Sequence, residues 1–233
     1  MGSWNEHVFP HSDLIELDPR LYVVHGSLGK SPLPRTMAVY RLDDGLLIHS
    51  AIALNDAGTS ALEALGTPRI LVVPNRFHRA DAAVWKERYP ELTVVCPGGV
   101  TEAASKVVPI DAEAKATLEP LGVTCHGSPD FEYTYELPLT DGVALVCADS
   151  LFNIREHLPG FAGLMARYVT RSTGFFGTTG LGKLFMGKKG KESTRAWLLE
   201  QAERTDLRHY VPGHGDVVSE DVAARLREAA ERL

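Results

Sequence analysis

The chain has few cysteines, and their arrangement excludes several kinds of site. Cys96, Cys125 and Cys147 are the only ones among 233 residues. No pair has the spacing of a zinc ribbon or of a C-x-x-C redox motif. Each lies in or next to an apolar run of the kind found in strands. An odd number of thiols without an export signal indicates buried, reduced side chains. We therefore expect a cytoplasmic protein without a disulfide framework.

Long apolar runs and excess positive charge are also lacking. No stretch approaches the roughly 20 apolar residues that a membrane-spanning helix needs, so no membrane span is expected. The net charge is −6, whereas a general nucleic-acid-binding protein would be basic. Nucleic acid is therefore not an expected partner. The first residues are polar and contain no hydrophobic signal segment.

What the chain does contain is an alternation of strand-like and helix-like segments, which predicts an α/β architecture. Four helices are expected. The first runs from 55 or 56 to 65, the second passes through 83–85 and ends at 89, the third spans 193–204, and the last begins at 219 and is terminal. Strands are expected at 21–25, 36–42, 46–49, 70–73, 92–96, 121–126, 131–137, 143–148 and 210–211. The tight turn Asp43-Asp44-Gly45 predicts a hairpin. No linker or internal repeat is evident, so one domain spanning 1–233 is expected.

Polar side chains of metal-ligand type follow several of these strands. Pro74 closes the run 70–73 and is followed by Asn75 and His78. Asp149 follows the run 143–148, where an unpaired buried carboxylate would be costly. Strand ends are where α/β proteins usually place their chemistry, so these side chains are candidates for one shared site.

Two further histidines complete the candidate set. His126 ends a predicted strand, and His214 lies between Gly213 and Gly215, which let the backbone turn sharply and aim the imidazole. Taken singly, each histidine is more often structural than a ligand. Taken together, the strand-end residues His78, His126, Asp149 and His214 form a candidate metal site.

The order of these motifs resembles the metallo-β-lactamase-fold hydrolases. Asp149-Ser-Leu-Phe is similar to their G-D-S-L-F stretch, and His126-Gly-Ser-Pro to their G-H-T-P-G-S stretch. Pro212-Gly-His214-Gly resembles the stretch that holds their last metal histidine. A subgroup of uncharacterised function, the DUF4336-type proteins, is similar over 17–21, 34–37, 41–45, 49–50 and 74–78. The resemblance implies a four-layer αββα sandwich of two mixed β-sheets, with the strands ending at Val73 and Ala148 central and buried.

The resemblance fails at the family's H-x-H-x-D-H motif, which should follow the strand 70–73. Placing the first histidine of that motif at Asn75 puts Phe77, Arg79 and Ala80 at the other ligand positions. Four ligands of a dinuclear centre are then absent by type, and His78 lies one place out of register. The resemblance therefore implies at most one zinc or other divalent metal ion, not two.

The segment 170–191 differs in composition from the rest of the chain. It contains six glycines and several lysines, interleaved with Phe175, Phe176, Leu184 and Phe185. This composition predicts a mobile, cationic flap that docks on the pocket rim or on a neighbouring subunit, and a homodimer is one possibility. A cationic flap would suit a small anionic ligand.

Two functions remain open. In the first, Asp149 and His214 are catalytic in a single-metal hydrolase of an ester, thioester, lactone or phosphoester. In the second, the chain is a metal-free, inactive binding module in which Arg76 or Arg79 pairs with Asp149. The candidate substrate-binding residues are Asn75, Arg76, Arg79 and Lys183, and in the second interpretation the flap binds a small anionic ligand or a partner protein.

Overall fold

The structure is a computed structural model that describes residues 3–29 and 31–233. Its α-helices are α1 (Asp56–Leu65), α2 (Ala82–Arg88), α3 (Thr101–Ala104), α4 (Ala114–Leu118), α5 (Gly160–Tyr168), α6 (Gly180–Ala202) and α7 (Val222–Glu231). Its strands are β1 (Ile15–Asp18), β2 (Leu21–Leu28), β3 (Ser31–Leu42), β4 (Gly45–His49), β5 (Pro68–Val72), β6 (Thr93–Cys96), β7 (Ala112–Glu113), β8 (Thr124–Ser128), β9 (Glu132–Pro138), β10 (Val143–Val146), β11 (Phe152–Ile154), β12 (Phe175–Gly177) and β13 (Leu207–Val211). Short 3₁₀ turns lie at Trp4–His7, Gly98–Val100 and Glu119–Leu121.

The strands form two mixed sheets and a small ribbon. The first sheet has seven strands in the order β1 to β7, antiparallel up to β4 and parallel from β4 onwards. The second has four strands in the order β13-β10-β9-β8, with β10 parallel to β13. Strands β11 and β12 pair antiparallel. The hairpin expected at 43–45 is confirmed, since Leu42 pairs with Gly45.

The two sheets face each other across one apolar core. Val23, Val72 and other side chains of the first sheet share a cluster with Tyr135 and Val146 of the second. Across the same interface, the Tyr40 hydroxyl donates a hydrogen bond to the Pro138 carbonyl over 2.7 Å. These contacts make the sheets the two inner layers of the fold.

Helices cover the outer face of each sheet. Leu62 of α1 and Trp85 of α2 are buried against the first sheet, and Leu198 of α6 and Leu226 of α7 are buried against the second. The predicted αββα sandwich is therefore confirmed. Strands β5 and β10 have a neighbour on each side and are central, as the sequence predicted. Within 3–29 and 31–233, no helix has the length and hydropathy needed to cross a bilayer.

The segment predicted as an unpacked flap instead contains regular structure. Strand β12 pairs with β11, and the fully buried ring of Phe176 packs against Tyr210 at a centroid distance of 5.6 Å. Thr179 then caps α6 by accepting a hydrogen bond from the Gly182 amide over 3.0 Å. Strand pairing and the cap outweigh the glycine content, which was the basis of the prediction.

Helix α6 is interrupted at Gly187, whose φ of 62° and ψ of −173° are not helical. Only glycine adopts this backbone region readily. A Cβ added at Gly187 would meet no atom within 4 Å, so the cost of a larger residue there is purely conformational. The interruption separates a first part that carries Phe185 from a second part that carries Trp197.

We expect Gly187→Ala to lower the free energy of unfolding by about 1–3 kcal/mol, because alanine is strained at this φ and ψ. Thermal and urea unfolding monitored by circular dichroism measure the change. Glu192→Ala, at an exposed and regular position of the same helix, serves as the control and should stay within about 0.5 kcal/mol. A rise in stability for Gly187→Ala would show that the helix is continuous in solution.

Candidate metal centre

Three predicted site residues converge at one end of the sandwich. His78 lies in the loop between β5 and α2, Asp149 follows β10, and His214 follows β13. The distances are 3.3 Å from His78 Nε2 to Asp149 Oδ1, 3.2 Å from His214 Nε2 to Asp149 Oδ1, and 3.1 Å between the two Nε2 atoms. Two imidazole nitrogens and one carboxylate oxygen thus form a nearly equilateral triangle, which we call the His-Asp-His triangle.

The first sheet orients His214. Its Nδ1 lies 2.6 Å from the Pro34 carbonyl oxygen, which can only accept, so Nδ1 carries the proton. In the neutral ring, Nε2 then presents a lone pair to the triangle, as in histidines that bind metal. The Phe152 ring, with its centroid 4.4 Å from that of His214, supports the imidazole.

The glycines around His214 are needed where they stand. A Cβ at Gly213 would lie 2.6 Å from the Ala148 carbonyl oxygen. Gly215 has a φ of 91°, and a Cβ there would lie 2.1 Å from the Asn153 carbonyl oxygen. The Gly-His-Gly turn therefore passes against the backbone that carries Asp149, which brings the imidazole to the carboxylate.

His78 is held by Ser50. The distance from His78 Nδ1 to Ser50 Oγ is 2.7 Å, and the ring is almost fully buried, with a side-chain exposure of 6%. Burial opposes protonation, but the Asp149 carboxylate outweighs it and raises the pKa of His78 above its ordinary value. The site therefore favours positive charge at this position.

Asn75 links the loop after β5 to the carboxylates. Its fully buried side chain donates from Nδ2 to Glu132 and to Asp149 Oδ2, each over 2.8 Å. Its Oδ1 accepts from the amides of Phe77 and His78. All of these contacts are internal, so the structure gives Asn75 a positioning role in place of the predicted ligand contact.

Glu132, at the start of β9, is part of the site, although no pattern in the sequence distinguishes it. Its carboxylate is 3% exposed and accepts from the Asp149 amide at 2.9 Å, from the Ser150 amide and hydroxyl at 2.5 Å each, and from Asn75. Burial and the charge of Asp149 raise the pKa of Glu132. Since every partner donates, the ionised form satisfies all of these hydrogen bonds.

Glu132, which is buried, and Asp149, which is partly buried, therefore share the Nδ2 donor of Asn75, and the basic groups that pair with Asp149 are imidazoles. Within 3–29 and 31–233, no arginine or lysine pairs with Asp149 or Glu132. Burial would raise the pKa of Asp149, but the charge of His78 and the hydrogen bond with His214 lower it well below its usual range. The two imidazoles are the groups that compensate the negative charge here, and a cation would complete the compensation.

The structure does not support the predicted pairing of an arginine with Asp149. Arg79 Nη1 instead donates to the Ala103 carbonyl, and Arg76 is exposed on the wall of a neighbouring cavity. Lys183 is also away from the triangle, since its Nζ donates to the Arg232 carbonyl. Of the predicted ligand-binding residues, Arg76 alone is found on the cavity wall.

The structure does not bring His126 to the triangle either. On β8, its Nε2 lies 2.9 Å from a Glu136 oxygen, and Arg204 of the segment after α6 donates to the same carboxylate over 2.7 and 3.1 Å. The imidazole lies 5.7 Å from the Trp197 ring, centroid to centroid. His126 therefore belongs to a separate ion-pair cluster, and the four predicted metal ligands reduce to three.

Solved structures with a similar fold are metallo-β-lactamases. The chain aligns with DIM-1 metallo-beta-lactamase exposed to ceftazidime at a TM-score of 0.63 and 11% identity, covering 97% of this chain and 99% of that one. The chain has the metallo-β-lactamase fold. A metallo beta lactamase from Erythrobacter litoralis aligns at a TM-score of 0.62, with 12% identity over 94% and 96% of the two chains.

A third similar structure is a mono-zinc form. It is the metallo-beta-lactamase FIM-1 from Pseudomonas aeruginosa in the mono-zinc form, with a TM-score of 0.60 and 13% identity over 97% of each chain. No family model matches the sequence, and no curated protein does so. At these identities the likeness establishes the fold alone.

We expect Glu136→Gln to lower the free energy of unfolding by about 1–3 kcal/mol at pH 7, because Arg204 and His126 lose a charged partner. Arg204 holds the pKa of Glu136 below its ordinary value. The carboxylate therefore stabilises the fold above its unfolded pKa of about 4.3, and this contribution is lost as the pH falls. Urea unfolding of both proteins should converge towards pH 3. A constant difference across this range would contradict the ion-pair assignment.

Proposed function

We propose that the chain is a hydrolase that binds one divalent metal ion through His78, Asp149 and His214. The observation that carries the proposal is the size of the His-Asp-His triangle. Tetrahedral zinc with bonds of about 2.0–2.1 Å has ligand atoms about 3.3 Å apart. The three measured separations are 3.3, 3.2 and 3.1 Å. The side chains thus fit one face of such a site and leave the fourth position to water or substrate.

The chemistry of the donors supports the same assignment. Two imidazoles and one carboxylate suit zinc, iron or manganese. The carboxylates of Asp149 and Glu132 add negative charge that a divalent ion would neutralise, and among the described residues Asp149 pairs with the two histidines and with no arginine or lysine. The mono-zinc form of FIM-1 shows that one relative of this fold exists with a single zinc.

A bound ion of this kind would supply Lewis-acid polarisation and a nucleophile at neutral pH. Asn75 fixes one oxygen of Asp149 and leaves the other facing the triangle. The Pro34 carbonyl keeps the proton on Nδ1 of His214, so that Nε2 remains available. The reaction proposed is hydrolysis of an ester, thioester, lactone or phosphoester in a small, anionic substrate.

The alternative is a metal-free binding module, and one observation favours it. The separations within the triangle are also hydrogen-bond distances. A proton on His78 Nε2 would satisfy Asp149 Oδ1 and His214 Nε2 without any metal. In that case the two histidines and Asp149 form a closed hydrogen-bonded cluster, and the cavity beside them binds a ligand without turnover.

Zinc titration of the chelator-treated protein separates these two functions. We expect one zinc ion per chain, and we expect His214→Ala to weaken binding by at least 100-fold, because it removes one of only three ligands. His126→Ala is the matched control and should leave the zinc affinity unchanged, since His126 pairs with Glu136. Calorimetric heat that is absent, or insensitive to His214→Ala, would support the metal-free module.

Glu132→Gln tests the second carboxylate. The variant keeps the shape of the side chain but removes its charge and places a donor against the Asp149 and Ser150 amides. We expect zinc affinity to fall by about 10- to 100-fold, as is typical when a group behind a metal ligand is changed. Glu136→Gln is the control, because that carboxylate lies outside the triangle. Equal zinc affinity in Glu132→Gln and the unchanged protein would show that Glu132 does not contribute to zinc binding.

Three further assignments are predictions from the sequence: a cytoplasmic location, a homodimer and membership of the DUF4336-type subgroup. Light scattering coupled to size-exclusion chromatography determines the oligomeric state, and the proposed metal site does not depend on its result, because all three ligands come from one chain.

A further inference from the structure

We propose that the cavity beside Asp149 binds the apolar acyl group of an ester or thioester substrate. The inference rests on the proposed function for the identity of the reaction, and it names the class of substrate. The cavity has a volume of about 820 Å³ and is bordered by Asp149 and Ser150. This volume lies in the range of small-molecule sites. A group held there would place its carbonyl carbon next to the His-Asp-His triangle.

Aromatic and aliphatic side chains from separate parts of the chain contribute to the cavity wall. Phe77 comes from the loop after β5, Phe131 from the turn between β8 and β9, and Phe185, Met186 and Trp197 from α6. The interruption at Gly187 allows both parts of α6 to contribute. Apolar walls with a few polar groups are typical of sites for apolar ligands.

Two of these aromatic rings lack a covering partner. Phe77 is 68% exposed and Phe185 is 80% exposed, although both line the cavity. Large aromatic side chains exposed around one concavity indicate a surface that is covered when a ligand binds. An acyl chain that enters between the two rings would remove its own apolar surface and that of both rings from water.

Several polar groups of the wall are already engaged within the protein. His126 is paired with Glu136, and the Ser150 hydroxyl donates to Glu132. Arg76 is exposed, and within 3–29 and 31–233 it makes no ion pair. The wall is thus suited to an apolar group, and Arg76 to an anionic leaving group.

The reaction implied is a simple hydrolysis. Water adds its oxygen to the acyl carbon, and the bond from that carbon to the ester oxygen or thioester sulfur breaks. The leaving alcohol or thiol takes up a proton, and the acyl group departs as a carboxylic acid. The apolar acid is the product that the cavity would release.

Binding of neutral acyl amides to metal-free protein tests the cavity directly. Octanamide and butyramide differ by four methylene groups and carry no charge that Asp149 could repel. Each buried methylene strengthens binding by roughly threefold to fourfold, so we expect octanamide to bind on the order of 100-fold more tightly by calorimetry. Equal affinity for the two amides would overturn the proposal.

Adjacent residues of α6 provide a matched pair of variants. Phe185→Glu places a charge on the wall and should weaken octanamide binding by at least tenfold. Leu184→Glu makes the same change at a side chain that is 75% exposed and does not line the cavity, and it should have no effect. Phe77→Glu is a second wall variant that should reproduce the loss. Octanamide affinity unchanged in both wall variants would place the ligand elsewhere.

Zinc titration of the same variants keeps this inference separate from the proposed function. Phe185→Glu should retain zinc binding, because Phe185 contacts none of the three ligands, whereas His214→Ala should retain octanamide binding. Octanamide binding without zinc binding would leave an apolar ligand site on a metal-free module. Zinc binding without octanamide binding would leave the metal centre and overturn the acyl site.

Discussion

The burial of two adjacent carboxylates is the constraint on which the site depends. Glu132 and Asp149 are held against each other in the interior, where unpaired charge is costly. The cost is offset by the amides of residues 149 and 150, by the Ser150 hydroxyl and by Asn75. These donors come from the segment after β10 and from the loop after β5, whereas the acceptor Glu132 begins β9. The carboxylates can therefore be satisfied only when both sheets and this loop are in their observed positions.

The histidines extend the same dependence across the sandwich. His214 follows a strand of the second sheet but is oriented by the Pro34 carbonyl of β3 in the first. The Thr36 amide also donates to the Gly213 carbonyl over 2.8 Å. Ser50, which holds His78, directly follows β4 and has a left-handed conformation with a φ of 56°. Each imidazole is thus fixed by a sheet or strand other than its own, and the triangle cannot form before the sheets pack.

Local signals in the sequence indicated an α/β architecture and part of the site, whereas the αββα sandwich was implied by the resemblance in motif order. Pro74 ends a strand, a buried run leads into Asp149, and glycines flank His214, and each of these features depends on residues close in sequence. His126 pairs with Glu136 on the neighbouring strand, and Glu136 is in turn held by Arg204, 68 positions away from it, so no local pattern encodes that cluster. Glu132 resembles any charged residue at the start of a strand until its donors are known. The segment 170–191 was misjudged for the same reason, because the burial of Phe176 against Tyr210 is a long-range contact.

The replacement of motif ligands by other residues in the loop after β5 is consistent with the cavity that this loop borders. When the motif is aligned on Asn75, Phe77 occupies a position at which the family has a metal ligand, and Phe77 here lines the cavity. A second metal ion at that place would require polar ligands facing the space that the aromatic rings occupy. The residue that departs from the motif at position 77 therefore contributes an apolar ring to the cavity wall. Glu132 lies behind Asp149 and accepts from its amide, and His78, Asp149 and His214 are the ligand-type side chains that meet at the triangle.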